Sequence, residues 1–278
     1  MGRIINIIKD FSLVGKISLI ALVIILIIAI FAPYLSKYPH DKPVASPLKS
    51  PTKEHILGTD DLGIDLWAQI IHGARISLIV GLGTALIAGV GGSTIGILAG
   101  YFGGFIDKFL MRLADVMIVL PELPTMIVLG VFFGSSIYNI IIVLSLFSWI
   151  KPARIVRSKT LSIKEENFIK IAQIYGAKFH YITIKHIMPY IFPLILISFI
   201  KLINRAIIAE ASLSFLGLGD PTSKSWGLIL NYAINFSGIY FTPYWKWWVL
   251  SPLIAITITV VSIAIIGREF EKIFKLKI

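Results

Sequence analysis

The segment nearest to a phosphate cradle is Gly89–Gly96 (GVGGSTIG), and it lacks the lysine with which a G-x-x-x-x-G-K-[ST] loop reaches a phosphate. No H-E-x-x-H zinc pair and no G-x-S-x-G nucleophile elbow occurs. The five histidines, His40, His55, His72, His180 and His186, are scattered, and the last two stand six apart, off a common helical face. They are expected to be solvated or capping residues, and no metal site is expected. With no catalytic constellation to name, the chain reads as a non-enzyme. The charges that demand an account are those set among apolar neighbours: Arg112, Asp115 and Glu122, then Lys201, Arg205 and Glu210. Asp115 and Glu122 fall on nearly one helical face. Arg112 lies one turn before Asp115, a spacing read here as an interfacial ion pair. Lys201, Arg205 and Ser212 share another face, flanked by Ser198 and Asn204, as a polar stripe in a segment rich in Ile and Leu. Such a stripe suits a water-filled pathway and equally an interface with another chain. Glu210 falls on the opposite side and is assigned no contact.

Composition defines the elements that must position these groups. Of the 278 residues 56% are apolar and 15% charged, with mean hydropathy +0.86, against about 25% charged in an ordinary soluble domain. So few charges cannot cover a soluble globule of this size, and the absence of cysteine excludes a disulfide-stapled fold. A membrane span needs about 20 apolar residues in a helix. Lys16 to Lys37 brackets 20 uncharged residues, Arg75 to Asp107 brackets 31, Glu122 to Lys151 brackets 28 and Lys246 to Arg268 brackets 21. Six spans are predicted, near 17–35, 76–99, 109–133, 137–156, 190–213 and 247–267, the third and fifth holding charge inside. The fold class is an all-α integral membrane protein. The apolar run Ile17–Ala32 exceeds a signal-peptide core of about 7–15 residues and no A-x-A site follows it, so a retained anchor is expected.

Six spans put 17 basic residues on one side, from Arg3 and Lys9 through the 151–189 segment to Lys277, and 6 on the other. The positive-inside rule then places both termini in the cytoplasm. The net charge of +11 is mostly this bias, and a nucleic-acid partner is not needed. The organisation expected is a cytoplasmic N-terminus (1–16), a first transmembrane helix (17–35), an extracytoplasmic segment (36–75), a transmembrane core (76–267) and a cytoplasmic tail (268–278). Of the extracytoplasmic segment, residues 36–55 are expected to be linker. Ala88, Gly92, Gly96 and Gly100 recur every four residues and remove bulk from one helical side, so a neighbouring helix can approach closely. The 151–189 segment is strongly basic and too long for a plain connection. It carries apolar residues at helical spacing, Phe168, Ile171, Ala172 and Tyr175, then Phe179, Ile182 and Ile187. Gly176 divides this pattern into two short helices. An amphipathic element of this kind can lie on an anionic membrane surface or seat itself in a groove on a cytoplasmic partner, and composition leaves both open.

Lys170–Gly176 (KIAQIYG) followed by Lys185–Pro189 (KHIMP) resembles the EAA loop of ABC-transporter permease subunits. Ala172, Gly176, His186, Ile187 and Pro189 stand where that family has them, while Lys170 replaces the usual glutamate and Ile171 the first alanine. Leu57–Leu78 (LGTDDLGIDLWAQIIHGARISL) is similar to the G-T-D-x-x-G-R-D…G-A-R-I-S-L block of the dipeptide/oligopeptide/nickel branch, with Ile64 in place of an arginine. Ala209–Gly227 (AEASLSFLGLGDPTSKSWG) resembles the A-E-A-x-L-S-F-L-G-L-G…S-W-G block of that branch, and Ala99–Leu113 (AGYFGGFIDKFLMRL) fits as well. From about residue 55 to 267 the chain is identified as the C-type permease component of such a transporter.

The resemblance implies a type I ABC-importer permease fold. It also implies a complex with a second, B-type permease, two cytoplasmic ATP-binding subunits and an extracytoplasmic solute-binding protein. No cofactor is implied for this chain, ATP being held by the partner subunits. Within 157–189, the coupling loop (165–189) would meet an ATPase through Phe168, Ile171, Ala172, Tyr175, Gly176, Ala177, His186, Ile187 and Pro189. Gly176 would permit the turn, and Pro189 would open the next span. Ser198, Lys201, Asn204, Arg205 and Ser212 then line a translocation path or an interface with the second permease. Trp226 and the Gly217–Pro221 turn are candidates to meet the binding protein, with Trp245, Trp247 and Trp248 as an interfacial belt. Peptides are the default solute, with nickel and oligosaccharides open. The main rival is a secondary transporter or channel that works without an ATPase and would not need the long patterned basic segment.

Overall fold

The computed structural model describes residues 10–275; Arg3, Lys9 and Lys277, counted in the charge bias, lie outside the described residues. The first helix, α1 (Leu13–Leu35), starts where the Ser12 hydroxyl accepts the Gly15 N–H at 3.1 Å. The second, α2 (Leu66–Phe102), is 37 residues long, about 55 Å at 1.5 Å per residue. It begins ten residues before the span predicted at 76, because Asp65 caps it by accepting the Ala68 N–H at 2.9 Å. Gly103 and Gly104, at φ +63° and +54°, end it. The chain then turns into α3 (Gly104–Val119) and α4 (Glu122–Phe133).

These two helices correct the straight span predicted over 109–133: they meet at 92° across Leu120–Pro121. Pro121 brings no N–H to a helical hydrogen bond and drives Leu120 into extended backbone. Next come α5 (Ile137–Ser148) and α6 (Ile150–Lys164), which continue in one line because Trp149 keeps helical angles. This rod runs eight residues past the predicted end at 156, so the first part of the expected coupling loop is a helical extension of a span.

After α7 (Asn167–Ile174) and the turn at Gly176, α8 (Phe179–Ile182) passes through a π-helical turn, Thr183–Ile187, into α9 (Met188–Leu213). The helix does not run straight on through Ser214–Leu218: Gly217, at φ +83°, leaves helical geometry and kinks the chain, so the rod that begins at Phe179 ends there. Pro189 is therefore inside a continuous helix rather than at the start of a span. The π-helical turn, where the Met188 N–H reaches back to the Thr183 carbonyl, precedes it directly. The short helices α10 (Trp226–Asn235) and α11 (Trp245–Trp248) lead to α12 (Leu250–Lys275). Among the described residues five elements are long and apolar enough to cross a membrane, six if the bent pair is one span. Among the described residues there is no strand, only a single bridge between Thr59 and Asp65.

The central helix is α2, which supplies buried residues to clusters at successive levels. Leu66, Ile70 and Leu78 pack with Ile207, Trp226 and Trp248; Val80 packs with Met126, Leu144 and Phe147; Ile97 packs with Val156, Ile169 and Ile187. Its small-residue ridge lies directly on α6. A Cβ added at Gly96 would stand 2.5 Å from the Ala153 carbonyl oxygen, and one at Gly100 would stand 2.7 Å from Thr160 Cβ. At Gly92 it would strike the Trp149 carbonyl, and Ala88, one step along, is already buried. Ionic ties add to this seam. Asp107 of α3 accepts Arg157 Nη2 at 2.6 Å with Nε on its second oxygen, and Asp115 accepts Arg154 at 2.5 Å. The Asp115 pair corrects the expected Arg112–Asp115 bridge. An arginine preceding an aspartate on the same helix is the weaker order against the helix dipole, and α6 places two guanidinium groups across the gap.

At the end of the bundle away from the termini, Glu210 ties three elements. It is 1% exposed and accepts hydroxyls from Ser77 of α2 at 3.2 Å and Ser214 at 2.6 Å, with the Ser225 side chain, the cap of α10, close beside it. At the opposite end Glu269 of α12 accepts both the N–H and the hydroxyl of Ser12, and Phe11 stacks edge-on against Phe270 at 5.6 Å. The start of α1 and the end of α12 therefore share one end of the molecule.

Two outcomes are expected from purified protein melted in detergent. Gly96→Leu lowers stability by about 1–3 kcal/mol through overpacking, while Gly91→Ala, with open space around it, does not. Glu210→Leu costs at least about 2 kcal/mol by stranding buried hydroxyls, and Glu210→Gln, which keeps an acceptor, costs less.

Candidate functional site

Two surfaces concentrate the candidate functional residues, and the first is a platform at the end that carries the start of α1 and the end of α12. Ile169 of α7 is fully buried among Ile163, Ile182, Ile187 and Ile191, and this anchors a helix of only eight residues. Gly176, at φ +77°, closes the turn after it; an added Cβ there would meet nothing within 4 Å, so the demand for glycine is conformational. The Ala177 N–H bonds the Ala172 carbonyl at 3.0 Å. With α7 pinned in this way, Ile171, Ile174 and Tyr175 point outward, Tyr175 being 87% exposed, and Phe168 stacks at 5.9 Å on Tyr190 beside His186.

The expected contact set is thus divided by the structure. Phe168, Ile171, Tyr175 and Pro189 are on the surface, and Ala172, Ala177 and His186 are half-buried. Ile187 is fully buried and belongs to the anchor, a correction that follows from its place on the inner side of the long rod. Ile174 and Ile184, exposed at 83% and 69%, were not in the expected set, although Ile174 stands three residues from Ile171 on the same face. Lys170, in the position of the family's glutamate, pairs with Glu165 at 3.0 Å.

The second surface is a cleft of about 500 Å³ between the start of α4, the middle of α9 and the end of α12. Lys201, Asn204, Arg205 and Ser212 line it with Glu122, Arg268 and Gly267. Arg205 pairs with Glu122, and Lys201 pairs with Glu271. Asn204 Oδ1 is buried and accepts no hydrogen bond, while the Ser212 hydroxyl donates to its own helix at the Ile208 carbonyl, 2.8 Å. Four of the five stripe residues are therefore brought together. Ser198 is not among the lining residues, because packed helices cover the rod at its level. Sequence spacing shows the cations of α9 but not Glu122, Arg268 and Glu271, which are 60 or more positions away and meet them only through helix packing.

The segment before α2 is folded rather than a bare linker. Asp60 is 3% exposed; it accepts the Ile64 N–H at 2.8 Å and Gln69 Nε2 at 2.6 Å, with Lys224 at 3.8 Å. His55 meets Asp65 at 2.8 Å under the ring of Tyr38, and the Thr59 hydroxyl donates to the Ser46 carbonyl. Partial burial and the neighbouring Asp60 charge hold the Asp61 carboxyl above its ordinary value. Trp226 is corrected as a surface contact: it is 2% exposed and donates to the Ile70 carbonyl at 2.9 Å. Trp248, expected in a belt, is buried in the same cluster.

Residues 92–277 match the family described as "Binding-protein-dependent transport system inner membrane component". The chain is 35% identical over 255 residues to the oligopeptide transport system permease protein OppC of Bacillus subtilis (strain 168), covering 91% of this chain and 82% of that protein. It is 36% identical over 259 residues to the dipeptide transport system permease protein DppC of Alkalihalophilus pseudofirmus, covering 91% and 83%. To the oligopeptide transport system permease protein OppC of Escherichia coli (strain K12) it is 38% identical over 223 residues, covering 78% and 74%. With the six apolar elements described above, these matches place the chain: it belongs to the binding-protein-dependent transport system inner membrane components, as a C-type ABC-transporter permease of the dipeptide/oligopeptide/nickel branch.

Proposed function

We propose that this permease imports peptides as one half of a membrane pore. Its companions would be a B-type permease, two cytoplasmic ATP-binding subunits that hold the ATP, and an extracytoplasmic solute-binding protein. Both termini lie in the cytoplasm in this reading, supported by the excess of Lys and Arg on the side that carries them. The observation that carries it is the outward apolar face Ile171–Ile174–Tyr175 on a short helix anchored by Ile169. An exposed cluster of this kind, rimmed by basic residues, is suited to a groove on another protein. Its anchor also contains Ile182, Ile187 and Ile191 of the rod that runs on to Leu213. A push on the platform would therefore be delivered to α9, whose polar stripe lines the cleft, and so to the path of the solute. Peptides are preferred as solute because the relatives are named as oligopeptide and dipeptide permeases.

Two variants test the coupling role. Gly176→Val forces a β-branched residue into φ +77°, and Tyr175→Asp charges the apolar face. Each is expected to leave membrane insertion intact while co-purification of the ATP-binding subunits and peptide uptake fall at least about tenfold, the equivalent of 1.4 kcal/mol. Unchanged co-purification and uptake would refute the role. Uptake by the intact complex is expected to vanish when the ATP-binding subunits are removed and to persist when ion gradients are collapsed.

A further inference from the structure

The cleft beside α9 holds more positive charge than its own carboxylates answer. Glu122 meets Arg205 and Glu271 meets Lys201, but Arg268 pairs with no carboxylate among the described residues. The Arg205 guanidinium carries five donor hydrogens in a rigid fork, and only Nη2 is engaged by Glu122. Asn204 lines the same cleft, and its Oδ1 is buried and accepts nothing. The remaining wall is apolar, formed by Ile200, Ile208 and Ile263.

Spare guanidinium donors beside an idle amide acceptor define a ligand chemistry: a carboxylate with an N–H close to it. A peptide C-terminus has that pair of groups. A divalent metal cation would meet three like charges here. A neutral sugar would leave the guanidinium groups unneutralised in a largely apolar cleft.

We propose that the cleft between α4, α9 and α12 receives the C-terminal carboxylate of the transported peptide, with Arg268 as first contact and Arg205 passing from Glu122 to the ligand. The last amide N–H of the peptide donates to Asn204 Oδ1. This rests on the peptide-permease reading above. The hand-over suits transport, because one carboxylate replaces another at Arg205. The hold is correspondingly shallow, as a path that must also release its solute requires. Glu122 is the built-in competitor, and it sits at the first position of α4, directly after the 92° bend.

The test uses the complete transporter with its binding protein in proteoliposomes, loaded outside with a tryptic digest of casein. Half of the digest is methyl-esterified at its carboxylates, and uptake is read by mass spectrometry. Only peptides that the binding protein retains in both forms are scored, so that selection upstream cancels. The wild type is expected to import free acids roughly tenfold better than esters, the scale of a charge-assisted contact. Arg268→Gln and Arg205→Gln are each expected to reduce that ratio below about threefold, and Glu122→Gln to raise it by removing the competitor. Lys246→Gln, outside the cleft, should leave it unchanged. Equal import of acids and esters by the wild type, or an unchanged ratio in Arg268→Gln, would overturn the proposal while leaving the peptide reading intact. Loss of the second permease from the Arg205→Gln and Arg268→Gln complexes would assign the cleft to subunit packing and overturn it equally. Import of neither form would overturn the peptide reading, and this proposal with it.

Discussion

The close approach of α2 and α6 is the contact on which the rest of the molecule depends. Backbone meets backbone along Gly92, Gly96 and Gly100, with carbonyl oxygens of Trp149 and Ala153 where side chains would otherwise stand. In a bilayer the hydrophobic effect does little to join helices, and close packing of small residues takes its place. The glycines cost the helix some intrinsic stability, about 1 kcal/mol each relative to alanine in water. That loss is offset by dispersion and by the Asp107–Arg157 and Asp115–Arg154 ties that lace α3 to the same helix. Because α6 emerges from this seam as a rigid extension to Lys164, the platform that follows starts from a fixed point.

The platform and the cleft are consequences of one continuous element. The rod from Phe179 to Leu213 carries the anchor residues Ile182, Ile187 and Ile191 at one end, the stripe Lys201–Ser212 further along and Glu210 toward the other end. Its charges on the stripe are satisfied by neighbours from α4 and α12, whereas Glu210 is surrounded only by hydroxyl groups. The same helix thus presents salt-bridged charge to a cleft and a hydroxyl-bound carboxyl to the packed core, which separates a surface that exchanges partners from a joint that holds.

Much of this was legible in the amino-acid sequence. Hydropathy reports how many times the chain can cross a bilayer, and it marks six apolar elements, the sixth being the bent pair. The four-residue period of Ala88 to Gly100 reports a flat helix face whatever the partner, and the turn at Gly176 follows from its place between two apolar patterns. Helix ends were less legible, because hydropathy stops at the polar boundary while hydrogen bonding does not. Asp65 starts α2 in a polar stretch, and α6 continues through Arg157 and Lys159 without any apolar signal. Partners distant in sequence were not legible at all: Arg157 with Asp107 and Arg205 with Glu122 exist only because helices bring them together. The same holds for Ile187 and Trp226, whose residue types suit a surface anchor and a core equally, and whose burial is decided by neighbours.

The end of the long rod beside the Glu210 cluster is broken by Gly217 at φ +83°, whereas the platform end is marked by a π-helical turn, Thr183–Ile187. A turn of that kind stores one surplus residue in the hydrogen-bond register. Where the surplus sits decides the azimuth of everything beyond it, at about 100° per residue. The shaft between Met188 and Leu213 is therefore fixed in length, while its platform end can be re-aimed by slipping a single register position. A helix built this way can turn at its platform end without melting the length that leads to the cleft.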